Sequence, residues 1–157
     1  GRWQLPSCSE VTCDVRAVSG KHDDLIACWA APLDRILAEI SASPAATAKP
    51  RARKLHADAG RGPYDDLAAA ELHIGFEQRG EHALDCVVER VDGLPFLGTG
   101  VQVYVRISMQ QGGIGSARRI STHCPVEARG TAASPLCEIL EVDVPMCIMD
   151  RHVVQRP

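Results

Sequence analysis

The chain alternates apolar and polar residues between Glu71 and Val144, with a period of two. Because successive side chains of a β-strand point to opposite faces of the sheet, this alternation predicts strands with one buried and one solvent-facing side. The predicted strands cover residues 71–76, 84–91, 101–107, 117–124 and 136–144. Turn-forming residues lie between these segments and no helical period does, so the sequence predicts an all-β core folded as an antiparallel β-sandwich. Ile139 interrupts the alternation of the last strand, and we expect a β-bulge there.

A different period marks the segment from Leu25 to Ile40, where apolar residues recur at spacings of three and four. This spacing is typical of a helix with one buried face. Pro32 lies inside the segment, and a proline is tolerated in the first turn of a helix but costs about 3 kcal/mol in its interior. The sequence therefore predicts a short helix that begins near Pro32 and ends near Ala42.

These patterns divide the chain into three parts. Residues 1–42 form an N-terminal extension that contains the helix. Residues 43–70 are predicted to be a weakly ordered linker, because proline, glycine, alanine and basic residues predominate there. Residues 71–157 form the β-sandwich.

Composition narrows the classes of function. The 157 residues carry a formal net charge of −3, which gives no general attraction to nucleic acid. No apolar run reaches the roughly 20 residues that a membrane-spanning helix requires. The seven cysteines are an odd number at scattered spacings, unlike a secreted disulfide framework, so we expect reduced thiols in a cytoplasmic protein.

Four segments, in order along the chain, resemble the C2 domain in its synaptotagmin-like form. They are Glu71–Phe76 (ELHIGF), Leu84–Pro95 (LDCVVERVDGLP), Val101–Ile107 (VQVYVRI), and Ser134–Glu138 (SPLCE) followed by Val142–Pro145 (VDVP). The resemblance implies a C2-like β-sandwich that is incomplete at its C-terminal end. It also allows an alternative for the N-terminal extension, in which residues 1–33 are the end of a preceding C2 domain.

The positions that match the calcium-binding loops of C2 domains depart from the family pattern. Gln102 stands where the family has an aspartate, and Val103 replaces the proline that follows it. The loop Phe96–Gly100 contains no carboxylate. Because calcium requires several oxygen ligands, chiefly carboxylates, the resemblance implies a calcium-independent module with no metal and no other cofactor.

By this resemblance, the chain would serve membrane trafficking or exocytosis, binding phospholipid weakly or docking a protein partner at the cytoplasmic side of a membrane. Arg106, Arg118 and Arg119 match the strands where C2 domains carry a basic patch for anionic headgroups. Phe96 and Leu97 lie in the apical loop, where apolar side chains insert into a bilayer interface. Two other interpretations stay open: the apolar pair packs beneath its loop, and the arginines form an ordinary solvated face. Basic residues of the linker would strengthen the patch if they lay beside it: Lys49, Arg51, Arg53 and Lys54.

The alternative function is that of a protein-interaction or scaffold module with no lipid role. In this case a partner would add a strand to the exposed edge at residues 117–124.

An enzyme or a zinc site is not indicated. His123 and Cys124 are neighbours on a predicted strand, so their side chains point to opposite faces. The glycine-rich segment Gly112–Gly115 lacks the lysine and serine or threonine that follow in a phosphate-binding loop. One scattered set of zinc-ligand residues lacks the closely spaced pairs of structural zinc sites: Cys8, Cys13, His22 and Cys28.

Overall fold

The computed structural model describes residues 9–57, 69–111, 114–133 and 135–144. The strands in this part of the chain are β1 (Ser9–Ser19), β2 (His22–Pro32), β3 (Arg51–Lys54), β4 (Glu71–Arg79), β5 (Ala83–Asp92), β6 (Gln102–Gln111), β7 (Ile114–Ile120), β8 (Cys124–Pro125) and β9 (Glu138–Asp143). The helices are α1 (Leu33–Ala42) and α2 (Pro44–Ala48).

The strands form two antiparallel sheets, and the predicted β-sandwich is confirmed. Sheet A has the order β2-β1-β6-β7, with β8 also beside β6, and sheet B has the order β3-β4-β5-β9. Apolar side chains of both sheets form one buried core. Trp29 of β2 stacks on Phe76 of β4 with ring centroids 5.8 Å apart, so the two sheets are in direct contact.

Helix α1 confirms the prediction from apolar spacing, since it begins directly after Pro32 and ends at Ala42. A proline can start a helix because the first N–H groups have no partner within the helix, so a missing donor costs nothing there. The helix packs against β1, β2 and β4. Its buried side chains complete the core on this side: Leu33, Ile36, Leu37 and Ile40.

The N-terminal residues contain a β-hairpin that the sequence analysis did not predict. Strand β1 pairs with β2 on one side and with β6 on the other, so the hairpin is hydrogen-bonded into sheet A. A register shift in this hairpin leaves Ile26 and Ala27, two consecutive residues, both buried. Such a break hides the period of two and leaves Leu25, Trp29 and Leu33 at helical spacing. Residues 1–8 lie outside the described residues, and the alternative of a preceding C2 domain stays a prediction.

Part of the predicted linker is regular structure. Strand β3 pairs with β4 over four residue pairs, from Arg51 opposite Ile74 to Lys54 opposite Glu71. The end of α2 lies against Gly75 of β4, where a Cβ atom would be 2.8 Å from the carbonyl carbon of Ala48. The expectation of weak order was therefore wrong for residues 44–54. Residues 58–68 of the linker lie outside the described residues, as do residues 145–157 of the predicted sandwich.

The predicted β-bulge at Ile139 was also wrong. Strand β9 pairs with β5 without a register shift, with Ile139 opposite Val87 and Leu140 opposite Cys86. Leu140 is buried, whereas Ile139 faces outward and is 60% exposed. Ile139 is thus an apolar residue on the solvent side of a regular strand.

Candidate functional site

The pairing of β6 with β7 decides where the three predicted lipid-binding arginines lie. Arg106 is opposite Ile120, and Arg118 is opposite Ser108. Side chains directly opposite each other share a face of the sheet, so Arg106 and Arg118 both lie on the outer face of sheet A. Arg119 is opposite the core residue Ile107 and lies on the other side of β7. Two of the three arginines therefore share a surface.

Arg106 is already paired with a carboxylate. Its Nη2 donates a hydrogen bond to Oδ2 of Asp14 at 2.9 Å, and Asp14 is its direct neighbour on β1. The Arg106 side chain is 28% exposed. An anionic ligand would have to compete with Asp14 for this charge, so Arg106 is a weaker candidate than the sequence suggested.

Arg118 and Arg119 carry the accessible positive charge of β7, with their side chains on opposite sides of the strand. Both residues are exposed at the end of the edge strand β7. Nη1 of Arg119 donates to the backbone oxygen of Arg118 at 2.9 Å. Within the described residues, neither guanidinium forms an ion pair with a carboxylate. Ile120 follows them and is 57% exposed.

Of the two apolar residues in the apical loop, one projects from the loop and the other packs beneath it. Phe96 is 86% exposed and projects from the loop. Leu97 is partly buried and packs against the core. A cavity of about 90 Å³ lies under the loop and is lined by Leu97, Val101 and Val126, among others. Phe96 is thus available to a partner or a membrane, whereas Leu97 supports the loop from below.

The loop tip and the arginines do not form one site. The loop leads into β6 at Gln102, whereas Arg118 is opposite Ser108, further along the same strand. At about 3.4 Å per residue, this places Phe96 and Arg118 on the order of 20 Å apart along the sheet. The structure therefore separates the predicted lipid-binding residues into a tip and an edge.

Two of the basic residues of 49–54, Arg51 and Arg53, do not extend the patch as the sequence suggested. Arg53 points into the sandwich and is 6% exposed. Its guanidinium carbon lies 5.1 Å from the ring centroid of Trp29, and its Nη2 lies 3.1 Å from Oε1 of Glu39. Arg51 donates to the same oxygen at 2.8 Å. These two arginines stabilise the contact between α1 and sheet B rather than face an anionic surface.

A polar cluster on the outer face of sheet A was missed by sequence reasoning. The hydroxyl of Tyr104 donates to Oδ2 of Asp23 at 2.7 Å, and Nε of Arg16 donates to Oδ1 at 2.8 Å. The ring of His123 stacks on Tyr104 with centroids 4.8 Å apart. Tyr104 and Asp23 are 81 residues apart, so no local pattern indicates their contact. The cluster holds the β1–β2 hairpin against β6.

The cluster gives a testable pH dependence. The hydrogen bonds from Tyr104 and Arg16 lower the pKa of Asp23, and burial followed by the bond to Asp23 raises the pKa of Tyr104. A lowered carboxyl pKa stabilises the fold above the unfolded value near pH 4, and this contribution is lost as pH falls through the folded pKa. We expect Tyr104→Phe to raise the pKa of Asp23 toward 3.8, measured by NMR titration of its carboxyl carbon. An unchanged pKa would show that Arg16 alone lowers it.

The candidate metal-binding and catalytic residues named from the sequence are dispersed over the described part of the chain. No group of three or more histidine, cysteine or carboxylate side chains there could hold a metal ion. In the scattered zinc set, Cys13 points into the core, Cys28 is opposite Asp14 on the outer face, and Cys8 lies outside the described residues. Cys124 is buried and His123 stacks on Tyr104. Gly112 and Gly113 of the glycine-rich segment are also outside the described residues.

Neither described helix is long and apolar enough to cross a membrane.

No protein-family model, curated protein or solved structure matches this chain. The fold class stands on the two sheets, and the resemblance to C2 domains stays a prediction.

Proposed function

We propose that this protein is a C2-like binding module that associates weakly with anionic phospholipid surfaces without calcium, as a peripheral membrane component of trafficking or exocytosis. The observation that carries the proposal is the exposed edge of β7, where Arg118 and Arg119 have no carboxylate partner among the described residues. The exposed Ile120 beside them adds apolar surface. Phe96, at the loop tip, is a second and separate contact.

The expected affinity is low. A basic residue near an anionic bilayer surface contributes about 1 kcal/mol, so Arg118 and Arg119 together contribute about 2 kcal/mol, or about 30-fold in affinity. Burial of part of the Phe96 ring adds about 25 cal/mol for each Å² of apolar surface. Binding should therefore weaken as salt rises and require a high fraction of anionic lipid.

Co-sedimentation with phosphatidylserine vesicles tests the proposal. We expect the protein to bind these vesicles in the presence of a calcium chelator and not to bind vesicles of phosphatidylcholine alone. The double variant Arg118→Gln, Arg119→Gln should bind about 30-fold more weakly, because it removes both unpaired charges without shortening the side chains severely.

A matched control removes an exposed arginine elsewhere on the molecule. Arg35 lies on α1, and its side chain is 65% exposed. Arg35→Gln makes the same change in net charge as Arg118→Gln alone and should retain binding, whereas Arg118→Gln should bind about fivefold more weakly. Equal loss in both variants would show a response to net charge alone, and a requirement for calcium would contradict the proposal.

A second candidate function is the docking of a protein partner by strand addition. Strand β7 is the last strand of sheet A in the described part of the chain, so its outer backbone groups face away from β6. An extended partner segment could bind such an edge through main-chain hydrogen bonds. Absence of binding to every vesicle composition would favour this function over lipid binding.

A further inference from the structure

Two buried cysteines occupy facing positions in the two sheets. Cys13 of β1 is directly opposite Trp29 of β2 within sheet A, and Cys86 of β5 is directly opposite Phe76 of β4 within sheet B. The rings of Trp29 and Phe76 stack on each other across the sandwich, 5.8 Å between centroids. Strands β6 and β7 of sheet A contact β9 of sheet B, so the strands of the two sheets follow each other in the same direction. The strand neighbours of Trp29 and Phe76 therefore occupy the next position along each sheet. Cys13 and Cys86 are both 0% exposed and both belong to the core.

We propose that Cys13 and Cys86 form a disulfide that joins sheet A to sheet B when the protein folds in the presence of a disulfide oxidant. Both are free thiols in the structure. A disulfide that links the two sheets beside a buried tryptophan is a known way of stabilising β-sandwich domains. The two cysteines are separate from the proposed lipid-binding residues, because they lie inside the core and not at the loop tip or the β7 edge.

The reaction balances with oxidised glutathione as the oxidant. One cysteine thiolate attacks a glutathione sulfur, forms a mixed disulfide and releases one glutathione thiolate. The second cysteine thiolate then attacks the protein sulfur of that mixed disulfide, forms the Cys13–Cys86 bond and releases the second glutathione. The two protein thiols lose two protons and two electrons in total, and glutathione disulfide is reduced to two molecules of glutathione.

The folded core controls when this bond forms. Burial raises the pKa of both thiols, and the nearby charge of Cys86 raises that of Cys13 further. Because the thiolate is the reactive species and the oxidant needs access, the closed sandwich reacts slowly. The bond should form quickly during folding, before the sheets close, and should then resist reduction until the sandwich opens.

Peptide mapping after refolding provides the test. Protein unfolded under reducing conditions is refolded with a mixture of reduced and oxidised glutathione, alkylated, digested without reductant and analysed by mass spectrometry. We expect a linked peptide pair that contains Cys13 and Cys86 and lacks two hydrogen atoms relative to the separate peptides. The oxidised protein should melt about 5 to 10 °C higher than the reduced protein, because the bond constrains the unfolded chain.

Controls separate this pair from other thiols. Cys137 is exposed, so Cys137→Ala should leave the linked peptide unchanged, whereas Cys13→Ala or Cys86→Ala should abolish it. Folded wild-type protein treated with the same mixture should form the bond at least tenfold more slowly than the refolding protein. A link from Cys13 to Cys28, or full alkylation of Cys13 and Cys86 after oxidative refolding, would overturn the proposal without the need for any variant.

Discussion

Replacement of Glu39 by alanine is expected to lower the free energy of unfolding by about 2 to 4 kcal/mol. Oε1 of Glu39 accepts hydrogen bonds from Nη2 of Arg51 and Nη2 of Arg53, at 2.8 and 3.1 Å. The Arg53 side chain is 7% exposed, and its guanidinium lies over the rings of Trp29 and Phe76. Without Glu39, a positive charge would stay in the sandwich with its carboxylate partner removed. Urea unfolding measures the loss.

A double-mutant cycle identifies the buried charge as the cause. Arg53→Met keeps an unbranched apolar side chain against the same two rings and removes the charge, so it should cost less than about 1.5 kcal/mol. In the Arg53→Met background, Glu39→Ala should then cost less than about 1 kcal/mol. An equal cost of Glu39→Ala in both backgrounds would contradict this explanation.

An exposed arginine on the same helix serves as the control. Nε of Arg35 lies 3.8 Å from Oε2 of Glu39, but the Arg35 side chain is 65% exposed. Arg35→Ala should change the free energy of unfolding by less than about 0.5 kcal/mol, because ion pairs in water are weak.

Replacement of Gly93 by alanine is expected to cost about 2 to 5 kcal/mol, for two reasons that add. The backbone of Gly93 has φ of +73°, which a residue with a Cβ atom adopts only at a cost. A Cβ atom there would also overlap the carbonyl oxygen of Ala69 and lie 2.6 Å from its carbonyl carbon. The backbone just before β4 would have to move away from the end of β5. The midpoint of urea unfolding reports the effect.

Gly20 separates the two causes. It lies in the turn between β1 and β2 with φ of +59°, and a Cβ atom there would meet nothing within 4 Å. Gly20→Ala should therefore cost only the conformational part, about 1 to 2 kcal/mol. If both variants lost the same amount, the approach of Ala69 to Gly93 would contribute nothing.

The predicted strand at residues 117–124 was wrong in its bounds, because the structure has β7 at Ile114–Ile120 and a separate short β8 at Cys124–Pro125. Strands β4, β5, β6 and β9 were predictable because the alternation of apolar and polar residues that marks them lies within each strand. Each has one face in the core and one in solvent, so the period of two is visible in β4, β5 and β6 without knowledge of any partner. Helix α1 was predictable for the same reason. The hairpin of β1 and β2 was not, because its bulge places Ile26 and Ala27 both in the core.

The candidate site was predictable as a set of residues but not as an arrangement. The exposed positions of Phe96 and Arg118 follow from a loop and a polar edge strand, which the sequence indicates. The neutralisation of Arg106 by Asp14 does not, because these residues are 92 positions apart and meet only through the pairing of β1 with β6.

The sequence by itself thus determined the sandwich class, the approximate positions of β4, β5, β6 and β9, and helix α1, because these elements show a regular period of apolar residues along the chain. Only the tertiary structure decided which cations are accessible, that Arg53 is buried against Trp29 and Phe76, and that Cys13 and Cys86 lie in one core. Those outcomes depend on which strands become neighbours, and strand pairing joins residues across the whole length of the chain.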